Sequence, residues 1–137
     1  MLFAFMGNDM DLRQGEHRVC LFTHIEQDTP RPDASDRYGQ NIEPLGLWVT
    51  MGHHGTDGLT DGRITFRHLT ASIRPLIVKA TATAEHNAVK AWKLQLSKRY
   101  NGATGAALSR AIMEAGYTAI VTVDEGYETG EIVLLNV

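Results

Sequence analysis

The spacing of the hydrophobic residues changes along this chain, and that change restricts the fold it can adopt. Before residue 85, apolar residues occur in short runs rich in β-branched and aromatic side chains, which is typical of strands. Between residues 85 and 115 they recur every three or four positions, which predicts helices. After residue 116 the strand pattern returns. Strands grouped apart from helices predict an α+β fold rather than a doubly wound sheet.

Seven segments have strand character, and two connections between them are distinctive. Residues 26–44 contain three prolines together with Asp, Ser and Asn, so we expect a long loop with a functional role as a lid or binding loop. Residues 53–62, HHGTDGLTDG, are expected to form a mobile hairpin connection. The strand segments are residues 1–7, 17–25, 45–52, 63–70, 75–83, 117–123 and 131–137.

Two helices are predicted between the strand-rich parts. The first spans residues 85–100 and ends at Asn101-Gly102. The second spans residues 105–115, with Thr104 as its N-terminal cap and Gly116 at its C-terminus. Trp92 is expected to pack in the core. The inner faces carry Val89, Trp92, Leu96 and Tyr100 in the first helix, and Leu108, Ile112 and Ala115 in the second.

Composition limits the class of protein. The 137 residues suit a single domain, residues 1–137, and the net charge of −3 provides no general basic surface for nucleic acid. A single cysteine, Cys20, excludes an internal disulfide framework and predicts a reducing compartment. The apolar start MLFAFM is too short to span a membrane and lacks the basic region of a signal peptide. We therefore expect a cytoplasmic protein that does not contact a membrane.

A zinc site is one alternative chemistry that the histidines raise. His53-His54, His24 and His68 could gather around a metal, with Asp57 or Asp61 in support. Adjacent histidines on a strand point to opposite faces, however, and no His-x-x-x-His or Cys-x-x-Cys spacing is present. We therefore expect no metal site. Cysteine-based catalysis is disfavoured because Cys20 lies in an apolar strand.

The C-terminal part of the chain resembles a known family. The order of its segments is similar to that of the C-terminal half of ADP-ribosyltransferases. These segments are PLIVKATAT, a helical stretch, GATGAALSRAIMEAGYTAIVTVD, an acidic turn and EIVLLNV. The similarity is to the small phage and bacterial-toxin-like members of the superfamily that includes diphtheria toxin and the poly-ADP-ribose polymerases. PLGLWVT, residues 44–50, resembles the family's Gly-x-aromatic strand followed by Thr or Ser. The resemblance covers residues 40–52 and 75–137.

This resemblance implies a fold, a substrate and a catalytic residue. The fold would consist of two small antiparallel sheets with flanking helices and an NAD-binding cleft between the sheets. Glu131, which opens the last predicted strand, would be the catalytic glutamate that assists cleavage of the nicotinamide–ribose bond. From its spacing alone, Glu131 would better suit a solvated strand end, and it is the flanking motif that favours the catalytic role.

The same resemblance implies residues that bind NAD. A first-strand Arg or His, usually followed by Gly, would contact the ribose; His24 is the best candidate and Arg18 the alternative. Trp48 would pack near nicotinamide, and Gly46 would let the ligand approach. Two further residues complete the set: Thr50, which shares a strand face with Trp48, and Tyr38 in the long loop.

The sequence departs from the family pattern in ways that leave the acceptor open. Thr129 stands two residues before Glu131, where arginine-modifying members carry an acid or amide. The most favoured function is NAD-dependent mono-ADP-ribosyl transfer to a protein, as in a toxin-like or phage effector. A nucleic-acid acceptor is less favoured. The alternative is an inactive protein of the same fold that grips an NAD-like ligand or blocks a protein partner.

Overall fold

The computed structural model describes residues 12–27, 36–58, 60–61, 64–80 and 86–136. Strands precede and follow a pair of helices in these ranges, so the α+β class is confirmed. The elements are β1 (Arg18–Gln27), β2 (Leu47–Met51), β3 (Thr60–Asp61), β4 (Ile64–Ile73), β5 (Pro75–Lys79), α1 (His86–Arg99), α2 (Gly105–Glu114), β6 (Ala119–Val123) and β7 (Thr129–Leu134).

The strands form one continuous mixed sheet in the order β3-β4-β1-β2-β7-β6-β5. Among the described strands, β5 and β6 form a parallel pair, with both helices between them in sequence, and the other neighbours are antiparallel. We expected two separate antiparallel sheets. The structure has a single sheet instead, because β2 pairs with β7 through residues 47–49 and with β1 through residues 50–51.

The β5–β6–β7 part of the sheet has apolar residues packed on both faces. Ile120 and Val133 belong to the cluster that includes the helix residues, whereas Val121 and Ile132 belong to the opposite cluster. All five residues of β6 are buried, which explains its nearly continuous apolar sequence. The helix-side cluster contains Leu76, Val78, Trp92, Leu96, Leu108, Ile112, Ile120, Val133 and Leu135.

Both predicted helices are present, and their ends follow local backbone chemistry. Asn101 and Gly102 have positive φ angles of 60° and 79° just after α1, and Gly116 has a φ of 102° just after α2. Thr104 occupies the N-cap position with an extended backbone, but its side chain makes no capping hydrogen bond. Thr104 is therefore the N-cap residue, as predicted, but its side chain does not do the capping. Neither helix is long and apolar enough to cross a bilayer.

Several strand boundaries differ from the predicted ones. β7 begins at Thr129, two residues before Glu131, because Thr129 still pairs with Val123. β5 ends at Lys79, and the short strand β3 was not predicted. The predicted strand at residues 1–7 lies outside the described part of the chain, as do residues 28–35 of the long loop and residues 81–85.

Candidate functional site

A cavity of about 1230 Å³ opens where β2 changes partners. The first half of β2 pairs with β7 and its last two residues pair with β1, so β7 separates from β2 just where β1 joins it. The loop before β2, the segment after β2, helix α1 and the end of β6 supply further walls. This volume exceeds the usual range for drug-sized ligands, about 300–1,000 Å³.

The cavity brings together the six residues that the sequence favoured for the site. They come from four different segments: β1, the loop before β2, β2 itself and β7. Arg18, the alternative first-strand donor, does not line the cavity; it lies six residues from His24 along β1, about 20 Å in an extended strand. The lining residues in question are His24, Tyr38, Gly46, Trp48, Thr50 and Glu131.

A β-bulge sets the position of Glu131. Val121 pairs with Ile132, but Val123 pairs with Thr129, so β7 contains one extra residue at Gly130-Glu131. The Thr122 hydroxyl donates a hydrogen bond of 2.7 Å to the Glu131 carbonyl. Bulges commonly redirect a side chain beside a binding site. Here the bulge lies at the point where β7 leaves β2, and Glu131 lines the cavity.

The Glu131 carboxyl group is half-buried, and its electrostatic surroundings are mixed. Burial raises the pKa of Glu131 above its usual value. The positive charge of Lys93 and a hydrogen bond from the Trp92 side chain lower this pKa, and the negative charge of Glu43 raises it. Because burial is the largest of these effects, the carboxylate occupies a partly desolvated position, where its charge acts strongly on a bound ligand.

A buried ion pair lies in the wall of the same cavity. Lys93 Nζ is 2.8 Å from Glu43 Oε2, and these side chains are only 3% and 9% exposed. Lys93 also donates a hydrogen bond of 2.8 Å to the Tyr38 carbonyl. This lysine therefore ties helix α1 to the loop that precedes β2.

Two indole rings contact each other beside this ion pair. The ring centroids of Trp48 and Trp92 are 6.1 Å apart, with their planes tilted by 49°. Lys93 Nζ lies 5.1 Å from the Trp48 ring centroid and 5.7 Å from that of Trp92, within the range of cation–π attraction. Trp92 is 3% exposed, as its predicted core role requires, but it also lines the cavity and donates to Glu131.

His24 is fixed by the backbone of the neighbouring strand. Its Nδ1 lies 2.8 Å from the Trp48 carbonyl oxygen, so Nδ1–H donates and the other ring nitrogen, Nε2, carries the lone pair of the neutral ring. Beside it, the Thr23 hydroxyl donates to the Gly52 carbonyl and accepts from the His54 amide. These bonds hold β1 against the end of β2 and fix the His24 imidazole at the cavity wall.

Gly46 is required by packing between strands. A β-carbon at this position would lie 2.5 Å from the Leu134 carbonyl oxygen and 2.7 Å from Val133 Cγ1. The close approach of β7 therefore explains the glycine, whereas the sequence suggested that the glycine makes room for a ligand. Thr50 is exposed, and Tyr38 is half-buried with the Arg37 guanidinium carbon 5.5 Å from its ring centroid.

The histidines of the β2–β4 region bind backbone carbonyls. The His53 and His68 rings stack with centroids 4.4 Å apart, and His68 Nε2 lies 2.8 Å from the His54 carbonyl oxygen. His54 Nε2 lies 2.6 Å from the Met51 carbonyl oxygen. Among the side chains that the structure describes, no three His, Cys, Asp or Glu residues are grouped as metal ligands; the Asp61 side chain is not among them.

Lys93 and Glu43 are the site residues that sequence reasoning missed. A signal for Lys93 was present, because it lies four residues after Val89 on the face of α1 that also carries Leu96. A lysine on an apolar helix face is rarely buried without a charged partner. Nothing local points to Glu43 as that partner, since 50 residues separate the two.

Comparison of this chain with protein-family models, curated proteins and solved structures found no match. The function is therefore inferred from the cavity and its side chains.

Proposed function

We propose that this protein is an NAD-dependent mono-ADP-ribosyltransferase that modifies a macromolecule, with Glu131 as its catalytic residue. The observation that carries the proposal is the placement of Glu131: a half-buried carboxylate at a β-bulge, facing a large cavity walled by aromatic rings. Core packing or strand pairing alone does not require a desolvated acid there. A reaction that develops positive charge does require one.

Cleavage of the nicotinamide–ribose bond is such a reaction. The C–N bond breaks, nicotinamide leaves with the bonding electron pair, and the ribose passes through an oxocarbenium-like transition state. A nucleophilic atom of the acceptor then bonds to the ribose carbon and loses its proton. In this reaction the Glu131 carboxylate stabilises the developing positive charge and orients the sugar through its hydroxyl groups.

The other cavity residues have chemistry suited to holding NAD. Trp48 and Tyr38 provide aromatic surface for stacking on the nicotinamide ring, and Trp48 is itself supported by Trp92. His24 has one ring nitrogen bound to the backbone and the other available in the neutral ring as an acceptor for a ribose hydroxyl. Thr50 is exposed at the cavity and can donate a further hydrogen bond.

A protein that binds an NAD-like ligand without cleaving it is the second candidate. It is favoured by the first strand, in which His24 is followed by Ile25 rather than glycine and has already used Nδ1 on the Trp48 carbonyl. Under this alternative the cavity retains affinity for the nucleotide but gives no turnover.

Labelled NAD distinguishes these functions. The purified protein, Glu131→Gln and Glu128→Gln are each incubated with adenine-labelled NAD and a cell lysate, and NAD binding is measured separately by calorimetry. Glu128 is a matched control because it is an exposed acid three residues away. We expect labelled protein or released nicotinamide with the wild type and Glu128→Gln, and a loss of about 10²–10³-fold with Glu131→Gln. Binding without turnover would favour the second candidate, and no binding would contradict both.

A further inference from the structure

Lys93 is buried in a place where a lysine is costly. Its side chain is 3% exposed and that of its partner Glu43 is 9% exposed. Removing two charges from water commonly costs as much as their attraction returns, and apolar replacements of buried pairs are often as stable or more stable. Stability alone therefore gives a weak reason for an ion pair in the wall of this cavity.

The surroundings of Lys93 point to a role at the cavity. The ammonium group is held from two sides, by Glu43 Oε2 and by the Tyr38 carbonyl, each at 2.8 Å. It lies within 6 Å of both indole rings, and the adjacent residue, Trp92, donates a hydrogen bond to Glu131. A fixed positive charge is thus placed beside the aromatic wall and on the same cavity as the half-buried carboxylate.

We propose that Lys93 is a positioning residue for Glu131. Its ammonium group, fixed by Glu43, supplies the positive charge that holds the Glu131 carboxylate ionised against the cost of its burial. The same ammonium group fixes the Trp48 and Trp92 rings that border the cavity. Glu43 has two opposing effects: it anchors Lys93, and its own negative charge partly offsets the effect of Lys93 on Glu131.

Other ionisable groups also line this cavity, and their charges contribute to the titration of Glu131 in every variant. His24 faces it from β1, His54 from the segment after β2, Tyr38 from the loop before β2 and Asp124 from the turn after β6. Lys93 and Glu43 are the charged groups that act most on the pKa of Glu131: Lys93 lowers it and Glu43 raises it. The two variants below therefore have expected effects of opposite sign.

The test is a carbon-13 NMR titration of the Glu131 side-chain carboxyl group in protein without nucleotide, with the resonance assigned from Glu131→Gln. Lys93→Met/Glu43→Gln removes both charges and leaves no unpaired buried ion. Because Lys93 is the stronger of the two influences, we expect a higher Glu131 titration midpoint in this variant than in the wild type. Glu43→Gln alone keeps the hydrogen-bonding shape and the ammonium group, and we expect a lower midpoint.

Unchanged midpoints in both variants, or shifts of the same sign, would overturn the proposal and leave Lys93 as a packing residue. If the double variant does not fold, Lys93→Gln takes its place, and a Glu131 midpoint no higher than that of the wild type would overturn the proposal. The effect on turnover rests on the proposed function, but the titration does not, so the two fail separately. Where NAD is cleaved, the acid limb of the kcat/KM profile follows the Glu131 midpoint in each variant.

Discussion

The two halves of β7 differ in strand pairing and in burial. Ile132, Val133 and Leu134 are hydrogen-bonded to strands on both sides and are at most 1% exposed. Thr129, Gly130 and Glu131 have lost the pairing with β2, contain the bulge, and are half-buried at the cavity. The same strand passes from a fully buried segment to a partly desolvated acid within one residue.

This difference indicates how the fold supports a site. The C-terminal half of β7 is fixed by apolar burial, so the backbone that enters the bulge is rigid, and Thr122 fixes the carbonyl of Glu131 itself. A carboxylate that is held in a desolvated position costs stability but interacts strongly with developing charge. Substitutions in the two halves should therefore separate stability from activity.

The largest effect is expected in the packed half. Ile132→Ala removes a side chain that is fully buried in the cluster opposite the helices. We expect the free energy of unfolding to fall by about 2–5 kcal/mol, measured by urea denaturation. Glu131→Gln, at the neighbouring position, is the control and should not lower it. A loss below about 1 kcal/mol for Ile132→Ala would break the distinction between the two halves.

Gly46→Ala tests the close contact between β2 and the packed half of β7. The added methyl group would meet the Leu134 carbonyl and the Val133 side chain, so β2 must move away. We expect the free energy of unfolding to fall by about 1–3 kcal/mol, as for other overpacked sites. Because an alanine normally stabilises the chain slightly relative to glycine where the backbone permits it, an unchanged or higher stability would contradict this contact.

His24→Ala tests whether a residue that lines the cavity contributes to NAD affinity. If His24 binds ribose as proposed, loss of that hydrogen bond, about 0.5–1.5 kcal/mol, should raise the Kd for NAD by about two- to tenfold in calorimetry. Arg18→Ala is the matched control on the same strand and should leave the Kd unchanged, because Arg18 does not line the cavity. A weaker affinity in Arg18→Ala alone would reverse the assignment of the first-strand donor.

The smallest expected effect is a pH-dependent increase in the stability of Glu131→Gln relative to the wild type. Burial holds the pKa of Glu131 above its usual value, so the folded protein binds this proton more tightly than the unfolded chain. The cost of ionising Glu131 is therefore present above its folded pKa and absent below about pH 4. Glu131→Gln should have a higher Tm than the wild type at pH 7, and the difference should close as the pH falls to 4. Equal Tm values at both pH values would contradict the desolvated position of the acid.

The sequence predicted the elements of this fold better than their arrangement. Periodicity and local breakers such as Asn101-Gly102 placed both helices and most strands, because those signals lie within a few residues. The single sheet depends on β2 pairing with one strand 27 or more residues before it and another more than 80 residues after it. No local pattern records such partners. β7 begins before its predicted first residue because of its bulge, which is likewise a property of the pairing between β6 and β7.

The site could be predicted only in part. Resemblance to a family selected six residues that line one cavity, but their roles remain predictions. Lys93 and Glu43 were missed because a helix lysine usually faces solvent, and its burial is acceptable only with a partner that lies far along the chain. The polar part of the site is thus defined by tertiary contacts.

The central claim is that Glu131 serves catalysis and not folding. The most direct test measures, in the same samples, the Tm at pH 7 and the rate of nicotinamide release from NAD for the wild type, Glu131→Gln and Glu128→Gln. We expect Glu131→Gln to lose about 10²–10³-fold in rate while its Tm stays equal to or above that of the wild type. A variant that keeps its rate, or loses rate and stability together, would contradict the claim.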